Sequence, residues 1–90
     1  MNFFTKLQQA TLQNNSLLCV GLDPDPKRYP PVLEDDSDKV FTFCKAIVDA
    51  TADLVCAFKP QIAYFAAQRA ETSLERLIAY VHKVAPHIPV

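Results

Sequence analysis

The sequence has one glycine, Gly21, and no tryptophan in 90 residues. So little glycine argues against an all-β domain stitched by tight turns, which need residues at positive φ. It also leaves no glycine-rich phosphate loop, so neither a dinucleotide-binding fold nor a P-loop site is supported. Charge of one sign is not in excess: 9 Lys and Arg stand against 10 Asp and Glu. That balance gives no electrostatic footprint for nucleic acid or for an anionic membrane surface. Long apolar runs are missing as well, none nearing the ~20 residues that span a bilayer. The start, Met1-Asn2-Phe3-Phe4-Thr5-Lys6, lacks a basic region followed by an apolar stretch and is not expected to be a signal peptide. The expectation is a cytoplasmic, soluble globular protein, since half of its residues are hydrophobic.

Cysteines are few and odd in number: Cys19, Cys44 and Cys56. Their spacing fits neither a zinc knuckle nor a Cys-x-x-Cys redox pair. Each lies in an apolar run, so all three are expected to be small buried hydrophobes. Asp23, Asp25 and Glu34 fall at positions 1, 3 and 12 of a calcium-loop register, but Lys27 and Arg28 then occupy the places of a ligand oxygen and a glycine. Calcium is rejected, and Glu34-Asp35-Asp36-Ser37-Asp38 reads as a solvated helix entry. His82 and His87 have no cysteine or second carboxylate at ligand spacing. No metal site is expected.

What is present is an alternation of two patterns. Phe3, Phe4, Leu7 and Ala10 recur at helical spacing up to Asn14-Asn15. Leu17 to Leu22 is a continuous apolar run too short for a helix, the pattern of a strand buried on both faces of a parallel sheet. It ends in Asp23-Pro24-Asp25-Pro26, where proline halts both ladder and helix. A helix is expected from about Ser37 to Ala52, with Val40, Phe43, Cys44, Ile47 and Thr51 on one face and Asp36 or Ser37 as its cap. Leu54 to Lys59 is the next short apolar run, stopped by Pro60. Gln61 to Gln68 reads as a short helical turn. Glu71 to Ala85 is a longer helix with Leu74, Leu77, Ile78, Val81 and Val84 or Ala85 aligned. Ile88-Pro89-Val90 opens what reads as a third strand.

Strands alternating with helices indicate βαβ units around a parallel sheet, an α/β class. Two strands and the start of a third leave open edges and a half-covered core, so residues 1–90 are expected to be one partial domain of a larger α/β protein. In such folds working residues sit at the carboxyl ends of strands. Asp23 ends the first strand and Lys59 the second. Facing one mouth, a carboxylate and an ammonium suit a polyhydroxylated ligand. The plain alternative is two strand-end charges reaching water.

Three stretches carry a family resemblance: Leu17 to Pro26, Phe43 to Asp53, and Ala57-Phe58-Lys59-Pro60-Gln61-Ile62-Ala63-Tyr64-Phe65. Together they resemble orotidine 5'-phosphate decarboxylase, in particular the bacterial subgroup with a Gly-Leu-Asp-Pro-Asp-Pro signature. Leu74 to Val90 is similar to that family's approach to its third strand. The resemblance implies the N-terminal part of a (β/α)8 TIM barrel, about two and a half strands with their helices. It further implies a homodimeric enzyme that converts orotidine 5'-monophosphate to UMP without metal or organic cofactor. Asp23 matches the aspartate that contacts the ribose hydroxyls. Lys59 matches the lysine that contacts ribose and joins the charged network beside the base. The proton-donating lysine, in an Asp-x-Lys-x-x-Asp motif, is expected after Val90, so no catalytic residue is expected within the chain. Another phosphate-sugar barrel enzyme, or a non-catalytic interaction module, is the alternative.

Overall fold

The computed structural model describes residues 2–90. The first helix, α1, spans Phe3–Asn14; the Asn2 side chain accepts from the Thr5 N–H at 2.8 Å and satisfies one of its free amides. It stops at Asn15, whose φ of 48° is left-handed, a conformation asparagine tolerates better than most residues. Ala10 is buried and Leu7 partly so, but Phe3 and Phe4 are exposed, because helical spacing alone does not supply a surface to pack on.

The strands β1 (Cys19–Leu22) and β2 (Ala57–Pro60) pair in parallel, with Gly21 beside Lys59 and Leu22 beside Pro60. The helix α2 (Lys39–Thr51) lies between them in sequence and completes a βαβ unit. Two short 3₁₀ turns, Pro26–Arg28 and Pro31–Leu33, carry the chain from β1 to α2. After β2 come α3 (Ile62–Ala67) and α4 (Glu71–Val84). The core gathers Leu22 and Phe58 from the strands, Val40, Cys44 and Val48 from α2, Phe65 from α3, and Leu77 and Val81 from α4, with Ala85 and Ile88 beyond. The α4 stripe therefore closes on Ala85, while Val84 is exposed.

Four expectations are corrected. First, β1 is not buried on both faces: Cys19 and Gly21 are exposed and Val20 is only half-buried, because a two-stranded sheet leaves one side of its edge strand uncovered. Second, Cys19 is accordingly an exposed thiol, whereas Cys44 and Cys56 are buried as expected. Third, neither Asp36 nor Ser37 caps α2. Asp38 holds the cap position without a side-chain cap bond, since both of its carboxylate oxygens are taken by Arg76 at 2.9 and 3.0 Å. Asp36 instead accepts from the Asp38 N–H at 2.7 Å, one turn early. Fourth, residues 88–90 do not form a strand, and the sheet has two. Even so, the Phe58 N–H donates to the Pro89 carbonyl at 3.0 Å. The Gln61 N–H of β2's exit points to β1, so by alternation Phe58 faces the opposite edge.

Away from the strand exits, α2 and α4 are joined by a ladder of side chains. Arg76 lies over the Phe41 ring at 4.2 Å, Phe41 meets Tyr80 edge to face, and Lys45 lies over Tyr80 at 5.0 Å. Lys45 bonds Asp49 at 2.8 Å, and the Tyr80 hydroxyl donates to the same carboxylate. No helix among the described residues is long and apolar enough to cross a membrane.

Candidate functional site at the carboxyl ends of the strands

Parallel pairing brings Asp23 and Lys59 to the same end of the sheet. Lys59 is registered beside Gly21, and Asp23 follows Gly21 by two residues, so strand alternation places all three on one face. The Asp23 carboxylate turns back along that face: a β-carbon at Gly21 would lie 3.5 Å from its Oδ1 and 3.7 Å from its Oδ2. Glycine thus leaves an open floor under the carboxylate and beside the lysine. Both side chains are exposed, and among the described residues neither is held in an ion pair. A carboxylate acceptor and an ammonium donor remain available on one open face, the arrangement that vicinal hydroxyls would satisfy.

The backbone around Asp23 is held on both sides. Before it, the Leu22 carbonyl accepts from the Gln61 N–H at 3.2 Å. At Asp23 itself, the carbonyl accepts from the Asp25 N–H at 2.8 Å, closing a three-residue turn. After it, the carbonyl of fully buried Pro24 accepts from Gln68 Nε2 at 2.6 Å and from the Tyr29 hydroxyl at 3.3 Å. Both glutamines flank α3, so that short helix ties the exit of β2 to the exit of β1. Sequence patterning gave Gln61, Gln68 and Tyr29 no part in the site. Gln61 and Gln68 bond backbone carbonyls distant in sequence, which leave no periodic trace.

Beneath the turn, Tyr29 packs on Phe43 with ring centroids 4.9 Å apart. Burial pushes the Tyr29 phenol above its ordinary value, which keeps the hydroxyl a donor. Burial also pushes the Cys44 thiol up to about 12, and the negative Asp23 adds to the shift. Cys44 is therefore a neutral packing group at ordinary pH, not a nucleophile. Asp25 caps the first 3₁₀ turn, accepting from the Lys27 N–H at 3.0 Å.

A cleft of about 320 Å³ is lined in part by Ser37, Asp38, Lys39, Gln68 and Arg69, and another of about 410 Å³ by Phe4, Leu7, Gln8, Thr11 and Leu12. Asp23 and Lys59 line neither; the charged pair stands on an open sheet end. Among the described residues, no group of three or more His, Cys, Asp and Glu is placed to hold a metal ion.

Comparison with curated proteins adds a second line. All 90 residues align at 66% identity with orotidine 5'-phosphate decarboxylase of Ralstonia nicotianae, at 64% with that of Dechloromonas aromatica and at 60% with that of Delftia acidovorans. By sequence, this stretch is similar to a portion of proteins named orotidine 5'-phosphate decarboxylase. It spans about a third of the length of these relatives, 33% in each of the three. No family model and no solved structure matches the chain. The two-stranded parallel sheet and its helices are consistent with an arc of the barrel implied by the decarboxylase resemblance.

Proposed function

We propose that this chain is the N-terminal portion of an orotidine 5'-phosphate decarboxylase, a cytoplasmic homodimer of (β/α)8 barrels that converts orotidine 5'-monophosphate to UMP. The observation that carries the reading is the 60–66% identity along the whole chain to relatives of that name. The placement of Asp23 and Lys59 at one end of a parallel sheet supports it, since barrel enzymes assemble their sites there.

The reaction breaks the bond between a pyrimidine ring carbon and a carboxylate. CO₂ departs, and the electron pair left on the ring carbon takes a proton. The resemblance places the proton donor on a lysine after Val90. This chain's residues serve the ribose: the Asp23 carboxylate accepts from its hydroxyls and the Lys59 ammonium donates to it. Ribose contacts are remote binding energy that holds the ring in register, and the fixed charge of Lys59 lies beside the base where negative charge develops.

The test is UMP formation from orotidine 5'-monophosphate by the purified full-length protein that carries this sequence. Turnover is the expected result. Absence of turnover in a folded preparation overturns the reading.

A further inference from the structure

We propose that Gln68 is a positioning residue, whose side-chain amide clamps the Pro24 carbonyl and thereby holds the Asp23 carboxylate over Gly21. The inference rests on the ribose-binding reading of Asp23 and deepens it.

Every polar atom of the Gln68 amide is engaged. Nε2 donates to the Pro24 carbonyl at 2.6 Å and to the Tyr64 carbonyl at 2.9 Å, while Oε1 accepts from the Tyr29 hydroxyl at 3.2 Å. Exchanging the nitrogen and oxygen would set an acceptor against two carbonyls, so the pattern allows one orientation of the amide. Tyr29 reinforces it from the other side, its single hydroxyl proton shared between Gln68 Oε1 and the Pro24 carbonyl.

The clamp reaches Asp23 through few free torsions. Asp23 precedes a proline, which confines it to extended backbone, and the pyrrolidine ring fixes φ at Pro24. The Leu22 carbonyl is held by Gln61, and the Asp25 N–H bond to the Asp23 carbonyl closes the turn over Pro24 and sets its ψ, so Asp23 to Asp25 moves as one unit about the backbone torsions of Asp23. Gln68, bonded to the Pro24 carbonyl, ties that unit to the end of α3. The open floor at Gly21 makes such restraint necessary, because no side chain there limits where the carboxylate goes.

Gln68 is presented by an unusual helix end. It is the C-terminal cap of α3, and the next residue, Arg69, turns the chain with φ of 53°. The Ala70 N–H then closes on the Phe65 carbonyl at 2.8 Å. A non-glycine residue in this conformation costs free energy, and the fold accepts the cost where Gln68 is aimed at the turn.

The experiment measures kcat and KM of the full-length protein on orotidine 5'-monophosphate for Gln68→Leu, for Tyr29→Phe, and for each combined with Asp23→Ala. Loss of a bond that orients a charged ligand group predicts a KM raised about five- to tenfold in Gln68→Leu, with kcat changed less. In the Asp23→Ala background that penalty falls below about twofold, because there is no carboxylate left to position. Tyr29→Phe keeps the ring on Phe43 and removes only the hydroxyl. It shows the same pattern at about two- to threefold, and decides the matter should Gln68→Leu not fold. A KM at the parent value, or equal penalties with and without Asp23, overturns the proposal, since loss of folded protein lowers activity alike in both backgrounds. An unsubstituted protein that does not turn over the substrate overturns the parent reading and this inference together.

Discussion

The two ends of the same pair of strands are tied in opposite styles. At the entry end, side chains of α1's terminus lock a turn: Asn14 Nδ2 donates to the Ala52 and Val55 carbonyls at 3.1 and 2.9 Å, and Ser16 Oγ to the Leu54 carbonyl at 2.6 Å. There the Asn14 and Ser16 side chains are spent on joining elements. At the exit end, Gln61 and Gln68 hold backbone carbonyls of the β1 exit, and among the described residues Asp23 and Lys59 are in no ion pair. One end uses its polar groups to join elements; the other uses them to hold elements still around groups kept free. That is the division between a stabilising and a working face expected of strands in a barrel.

Substitutions at the two ends should therefore separate activity from stability. Asp23→Ala and Lys59→Ala are expected to lower kcat/KM on orotidine 5'-monophosphate by about 10²-fold in the full-length protein, with thermal midpoints near that of the parent. Unchanged kinetics would remove both from the site. Asn14→Ala should do the reverse. It strips the side-chain donor from two part-buried carbonyls and costs about 1–3 kcal/mol, measured as a lower urea midpoint, while kcat/KM per folded molecule is unchanged. An Asn14 variant as stable as the parent would erase the contrast between the ends.

Smaller effects sharpen it. Arg69→Gly relieves a left-handed residue and is expected to raise stability by about 0.5–1 kcal/mol in urea titration. If the helix end exists to aim Gln68, that gain comes with no improvement in KM. The smallest effect belongs to the exposed ladder on α2 and α4. The Lys45 ammonium first, then the Tyr80 hydroxyl, hold the Asp49 carboxyl below its ordinary 3.8. A depressed carboxyl contributes stability present above pH 3.8 and lost as pH falls through its lowered value. Lys45, raised above 10.5 chiefly by Asp49, contributes below 10.5 and loses its share as pH rises past its own raised value. A Lys45→Met variant should melt slightly below the parent at neutral pH, and the gap should close in acid below 3.8. A gap independent of pH would mean that the lysine stem's packing, not its charge, is what matters.

The exit end was legible in sequence where chemistry follows from chain order. Short apolar runs halted by proline at Asp23-Pro24 and Lys59-Pro60 locate strand ends, and the helix between them makes the pairing parallel. Gln68 and Asn14 were not legible, because their carbonyl partners lie 44, 38 and 41 residues away and any residue supplies a carbonyl. The cap of α2 was misplaced for a related reason: Asp38 is claimed by Arg76, 38 residues distant, and local rules do not see that competitor. The burial of β1 was overstated because an unbroken apolar run tells what a strand can bury against, not whether the neighbour is there.

The bond from Phe58 to Pro89 sets the direction in which the sheet is extended. It lies on the side of β2 away from β1, and among the described residues the outer edge of β1 has no paired strand. A bare strand edge is a template for pairing with another chain, and on this strand Cys19 stands exposed as a free thiol.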